Sequence, residues 1–144
     1  KKDLPVKYYT MPGMARGSFL PNLDNARLFR TGVLVEGWFD VFGFGPMSMP
    51  ILGGSVTSTQ QSLFATIFGR PGRAGVLLLD PEEFDKMGTQ KTIKALDQKM
   101  SGKLAAVKLP DGTDPGKLDR AFMRQYVIEA AADQGVKLDF GWMD

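Results

Sequence analysis

The sequence predicts an α/β domain with a mainly parallel central sheet flanked by helices. Three observations carry that prediction. Short apolar runs alternate with stretches whose apolar residues recur at helical spacing. No hairpin signal joins one run to the next, so crossovers must connect them, right-handed as parallel connections almost always are. Three runs also end in acid: Gly-Val-Leu-Val-Glu36 with Asp40 just after, Val-Leu-Leu-Leu-Asp80-Pro-Glu82, and Ala-Ala-Val-Lys-Leu-Pro-Asp-Gly-Thr-Asp114. In neighbouring parallel strands these acids converge at one edge of the sheet, where open α/β folds hold their ligands.

Residues 1–31 are rich in Pro, Gly and Asn, show no sustained period, and read as an N-terminal arm with one short helix from Leu23 to Phe29. The remainder, 32–144, reads as the domain proper. Val33 to Val35 is expected as a buried strand, Trp38 to Phe44 as a short helix, and Met49 to Leu52 as a second strand. Thr57-Ser-Thr-Gln60 fits a capping box opening a helix that carries Leu63, Phe64, Ile67 and Phe68. After the Gly69 to Gly75 punctuation, Val76 to Leu79 forms the clearest strand. A helix follows through Ile93, Leu96 and Met100, stopped by Ser101-Gly102. Ala105 to Lys108 is the next strand, and a last helix carries Leu118, Phe122, Tyr126 and Ala130, with Gly135 as its stop.

Composition narrows the chemistry. At 144 residues, 43% hydrophobic and 24% charged, the chain suits one soluble globular domain, with no signal-peptide pattern and no apolar run near the roughly 18 residues that span a bilayer. The chain begins Lys-Lys-Asp-Leu-Pro without an initiator methionine, as an excised domain or proteolytic piece would. Zero cysteines exclude disulfides, thiol nucleophiles and cysteine-ligated zinc, and point to an intracellular setting. Zero histidines remove the usual general base and a frequent ligand for zinc, copper and iron. Clustered carboxylates then favour magnesium or manganese, which take oxygen ligands.

The net charge of +2 is unevenly spread: six bases (Lys1, Lys2, Lys7, Arg16, Arg27, Arg30) stand against two acids (Asp3, Asp24) before Gly32. A basic arm beside an acid-edged sheet suits a polyanion held over metal ions, and equally describes a solvated terminal segment.

Each acid has two readings. A carboxylate just past a buried strand is held by that strand with its oxygens open to a metal, and in an extended segment Asp80 and Glu82 point to the same side. Asp80-Pro-Glu-Glu is also an ordinary helix start, with a capping aspartate and acids in the first turn. The glycines match neither a phosphate-binding P-loop nor a dinucleotide fingerprint. Trp38, Phe39, Phe42 and Phe44 read as core, and Ser55, Thr57 and Ser58, lacking a histidine partner, as turn and cap.

Taken together, Val-Leu-Val-Glu36-Gly-Trp-Phe-Asp40, Leu-Gly-Gly before a Gln-containing helix, and Leu-Leu-Leu-Asp80-Pro-Glu82 resemble the Toprim domain of topoisomerases, primases and related nucleases. Leu109-Pro-Asp-Gly-Thr-Asp-Pro115 narrows the resemblance to bacterial and phage primases. Lys7-Tyr8, Phe19-Leu20 and Leu23-Asp-Asn-Ala-Arg27 are similar to the stretch ahead of Toprim in those proteins, so the likeness runs from about Lys7 to the last helix, with 32–144 as the Toprim domain. Glu82 departs from the pattern by replacing the second aspartate of Asp-x-Asp. Gly116 stands where primases often carry another acid, and Glu83-Phe-Asp-Lys-Met-Gly88 replaces the usual Gly-x-Ala-Gly continuation.

The resemblance implies metal-dependent nucleotidyl transfer that makes an RNA primer on single-stranded DNA from nucleoside triphosphates. It implies Glu36, Asp80 and Glu82 as catalytic acids, and Glu36, Asp40, Asp80, Glu82 and Asp114 as ligands of Mg2+ or Mn2+. Lys7, Arg16 and Lys86, with Lys91 as a further candidate, would contact phosphates. A replicative helicase is a further implied partner, no membrane is involved, and the setting is the cytoplasm of a bacterial cell or phage-infected host. Two alternatives remain: a Toprim nuclease with Glu36 as general acid/base, and a non-catalytic Toprim-like module binding nucleic acid or replisome partners.

Overall fold

A computed structural model describes residues 16–51, 55–110 and 119–143. Its centre is a four-stranded, all-parallel sheet in the order β2-β1-β3-β4, formed by β1 (Thr31–Val35), β2 (Ser48–Pro50), β3 (Ala74–Leu79) and β4 (Leu104–Lys108). Every residue of β1 and β3 is buried, which is why those runs read as continuously apolar: in a parallel sheet, helices cover both faces. The short strand β2 lies at an edge and ends in Pro50, a residue that cannot donate to a central ladder.

Alternate residues feed two cores. Val33, Val35, Val76, Leu78, Ala105 and Val107 meet Val41 and Phe44 of α2 (Trp38–Phe44) and Met123, Val127 and Ala131 of α6 (Arg120–Asp133). On the opposite face, Leu34, Met49, Leu77 and Leu79 meet Phe64 and Phe68 of α3 (Ser58–Phe68) and Leu96 and Met100 of α5 (Met87–Met100). Placing α2 and α3 on opposite faces is what right-handed crossovers require, because the chain leaves β1 for β2 on one side and then returns past β1 to β3 on the other. The expected α/β class and parallel sheet are both present.

Several boundaries move for physical reasons. The second strand is Ser48–Pro50 and not Met49 to Leu52, because pairing with β1 aligns Val33 with Ser48 and Val35 with Pro50. The last helix turns by one residue from the expected stripe: Met123, Val127 and Ala131 are buried, whereas Phe122 is 54% exposed. Tyr126 is half-buried, and its hydroxyl donates to the Lys108 carbonyl at 2.8 Å. Both stripes have i, i+4 spacing, and packing on the sheet chooses between them. Helix α5 stops where Ser101 adopts a left-handed conformation (φ 53°) followed by Gly102 (φ 82°), as its Ser-Gly end predicts.

The described part of the arm is built into the domain. Leu20, Ala26 and Phe29 are buried, α1 (Leu23–Ala26) lies against the sheet, and the Asn22 amide donates to the carbonyls of Pro46 and Ser48 at 3.1 and 2.8 Å. Thr57 caps α3 by accepting from the Gln60 N–H at 3.1 Å, and its hydroxyl donates to the Gly17 carbonyl at 2.5 Å. Gln60 returns a bond to the Thr57 N–H at 3.0 Å and donates to the Phe19 carbonyl at 3.1 Å. The predicted capping box therefore also pins the arm. Thr57→Ala is expected to cost about 1–2 kcal/mol in urea unfolding, since it removes a helix cap and a long-range bond together.

Candidate functional site

Strand β1 is the pivot of the topology. From its end the chain departs to one side of the sheet, and from the end of neighbouring β3 it departs to the other, leaving a crevice between the two carboxyl ends. Glu36 and Asp80 are the residues that follow those ends. They come together: the Asp80 N–H donates to Glu36 Oε1 at 3.1 Å, and both side chains are half-buried.

Asp40 reaches back from the first turn of α2, with Oδ2 accepting from the Gly37 N–H at 3.1 Å. Asp80 opens α4 (Pro81–Phe84), its Oδ1 accepting from the Glu83 N–H at 2.8 Å while Pro81 takes the first helical position, where a missing N–H costs nothing. The segment after Asp80 is thus a helical turn, so the expected extended geometry that would aim Glu82 alongside Asp80 is absent. Glu82 is exposed on that turn.

Burial pushes the Glu36 carboxyl up to about 7 from the usual 4.5. A hydrogen bond with the Asp80 side chain and the charges of Asp80 and Asp40 add to the rise, and the Asp80 N–H opposes it. A carboxyl raised in the fold contributes stability that is complete below 4.5 and lost as pH climbs through 7. At pH 8 and without metal the ionised group is a net burden of about 1–2 kcal/mol after solvent screening. Glu36→Gln should therefore stabilise the metal-free protein at pH 8 and flatten its stability profile between pH 4.5 and 7, as urea titrations across that range would show.

Glu36 and Asp80 bring two carboxylates together, and a divalent cation bound there would compensate the repulsion that raises Glu36. Among the described residues no three acids are gathered closely enough to hold a metal by themselves. Asp114 and Lys7 lie outside the described residues, as does Gly116. The backbone of Arg16 is set near the start of α3 by the bond from Thr57 to the adjacent Gly17 carbonyl.

Lys86 is exposed at the start of α5 and pairs with Glu83 at 3.0 Å, a contact that raises its pKa. The sequence reading passed over two groups at this edge. Glu83 is held by Lys86 and by the Thr89 hydroxyl at 3.0 Å, beside a shallow recess lined in part by Ile51, Val56 and Leu79. Lys108, the last residue of β4, bonds Asp85 at 2.9 Å; a lysine closing an apolar strand was the available signal.

Solved structures with a similar fold include the RNA polymerase domain of Mycobacterium tuberculosis primase DnaG in complex with double-stranded DNA, at a TM-score of 0.62 and 22% identity over 83% of this chain and 41% of that one. The chain has a fold similar to that of primase catalytic cores. A DNA primase domain from Pseudomonas aeruginosa (TM-score 0.59, 17% identity, 84% of this chain and 40% of that one) and a DnaG catalytic core (0.55, 20%, 88% and 42%) share it. This chain spans about two fifths of each of those structures. No protein-family model matches it, and no curated protein sequence does. Among the described residues no helix is long and apolar enough to cross a membrane.

Proposed function

We propose that the chain is a Toprim domain of primase type, acting in metal-dependent nucleotidyl transfer: a primer's 3′-hydroxyl gives its proton to solvent as its oxygen bonds to the α-phosphorus of a nucleoside triphosphate, the bond from that phosphorus to the bridging β-phosphate oxygen breaks, and pyrophosphate leaves. The observation that carries this reading is the meeting of Glu36 and Asp80 at the crevice between β1 and β3, in a fold similar to primase cores. Glu36, Asp40 and Asp80, joined by Asp114, would hold Mg2+ or Mn2+, which would supply charge neutralisation and Lewis acidity to the triphosphate. Strand ends fix the backbone of Glu36 and Asp80, so their carboxylates are placed before substrate arrives. Lys86 and Lys108 would supply the cationic side of the edge. They are paired to Glu83 and Asp85 in exposed contacts, which a phosphate exchanges at little cost.

Single-stranded DNA is the template in this reading, the nucleoside triphosphates are the substrates and a replicative helicase is a partner. The experiment is manganese titration calorimetry on the chain, followed by primer synthesis on a single-stranded template. Binding lost in Glu36→Gln and Asp80→Asn, with labelled strands extended and not shortened, supports the reading; shortened strands would make the site a nuclease. A second reading, a nucleic-acid module without catalysis, is favoured by Asp80 Oδ1 serving as a helix cap and by Glu82 facing solvent on α4. It predicts DNA binding that ignores both chelator and the two carboxylate variants.

A further inference from the structure

The opposite edge of the sheet, where the strands begin, carries several arginines and an exposed tryptophan. Arg73 precedes β3, and its Nη2 donates to the carbonyls of Arg27 and Phe29, the latter at 2.7 Å, while its guanidinium lies 5.1 Å from the centre of the Phe68 ring. Burial and the nearby charge of Arg70 both depress the Arg73 pKa, a sign that two cations sit close together here. Arg27 and Arg70 are exposed. Among the described residues no carboxylate pairs with Arg27, Arg70 or Arg73; Asp139, the acid at this edge, pairs with Arg30 at 3.5 Å.

Phe29 stacks on Trp142 with ring centroids 4.3 Å apart and planes inclined by 28°. An antiparallel bridge holds the pair in place, with Arg30 N–H donating to the Gly141 carbonyl at 3.0 Å and Met143 N–H to the Leu28 carbonyl at 2.7 Å. Phe29 is buried and braces one side of the indole, yet Trp142 remains 63% exposed. A fixed, solvent-facing aromatic beside unopposed arginines is the combination that holds single-stranded nucleic acid: bases stack on the ring and phosphates meet the cations. A second copy of the chain is a poorer occupant, because a two-fold contact would press this positive patch against itself.

We propose that this edge is a contact site for single-stranded nucleic acid, with a base stacked on Trp142 and flanking phosphates met by Arg27 and Arg70, while Arg73 braces the surface. The site lies about 20 Å from the carboxylate edge, the length of the six-residue strand β3. It goes beyond the proposed catalytic reading and does not depend on it.

The test is binding of a labelled oligodeoxythymidylate to the full chain in the presence of chelator, followed by anisotropy across a salt series and by tryptophan fluorescence. Expected are quenching of the indole on binding, about tenfold weaker binding for Trp142→Ala, and recovery of most of that loss in Trp142→Phe. The exposed pair Arg27→Glu with Arg70→Glu should weaken binding more than tenfold and reduce the log–log salt slope by about 1.4, the value for two lost phosphate contacts to a single strand. This pair keeps the test valid should Trp142→Ala loosen the Phe29 contact. Absence of binding by the parent chain, or binding unchanged in the charge-reversal pair, overturns the proposal. So does a self-association broken by Trp142→Ala while oligonucleotide affinity stays fixed. Because chelator is present throughout, failure of the carboxylate site to bind metal would leave this result standing.

Discussion

Glu36→Gln and Asp80→Asn are each expected to lower manganese affinity by at least about 100-fold, the scale set by losing a charged ligand from a site with few of them. The two substitutions are well matched to the local structure. In Glu36→Gln the new amide oxygen would still accept from the Asp80 N–H. In Asp80→Asn the new side chain would still cap α4, because asparagine serves as an N-cap as well as aspartate does. Each therefore removes charge without removing the hydrogen bond that shapes the turn. The two readouts move in opposite directions for Glu36: metal affinity falls while the metal-free fold gains stability at pH 8, since the ionised carboxyl is strained by burial and by Asp80 and Asp40. A purely structural glutamate would lose both. Glu83→Gln provides the contrast, because Glu83 is committed to Lys86 and Thr89 and should leave manganese affinity within about twofold.

Gly75→Val is expected to destabilise the fold by about 3 kcal/mol, although valine is far the better strand former. Gly75 and Gly32 are register partners on β3 and β1, on the face covered by α3. A Cβ on Gly75 would run into the Phe64 ring and lie 2.8 Å from the Met100 methyl, and one on Gly32 would run into the Phe68 ring. Phe64, Phe68 and Met100 are fully buried and cannot swing into solvent. The two glycines let the phenyl rings of α3, themselves 4.9 Å apart at their centroids, settle directly on the sheet backbone. Urea unfolding at neutral pH gives the measurement, and a Gly75→Val protein as stable as its parent would refute the close approach.

What the chain reveals in one dimension follows from how local each cause is. The strands around Val33 to Val35 and Val76 to Leu79 were legible because burial on both faces leaves a continuous apolar run. The start of α3 was legible because Thr57 and Gln60 satisfy each other within one turn. Glu36 and Asp80 could be named because a strand end fixes its next residue. Glu82 could not be placed so readily, since Pro81 sets either an extended step or the first residue of a helix, and Asp80's capping bond selects the helix.

The packing of the arm was hidden by its composition. Leu20, Ala26 and Phe29 have no common period, and their anchors, among them Pro46, Ser48, Gln60 and Trp142, lie far along the chain. Its basic charge also divides in a way the sequence does not reveal. Gly17 ties the neighbourhood of Arg16 to the start of α3, whereas Arg27 and Arg30 sit where the strands begin, away from the carboxylates they were expected to accompany.

Crystals of the chain soaked in manganese and measured for anomalous scattering would locate the cation itself. An anomalous peak is expected in the crevice between the ends of β1 and β3, within coordination distance of carboxylate oxygens of both Glu36 and Asp80, with its loss in Asp80→Asn. Saturating manganese with no peak at that crevice, or a peak held elsewhere and indifferent to Asp80→Asn, would contradict metal binding by these two acids.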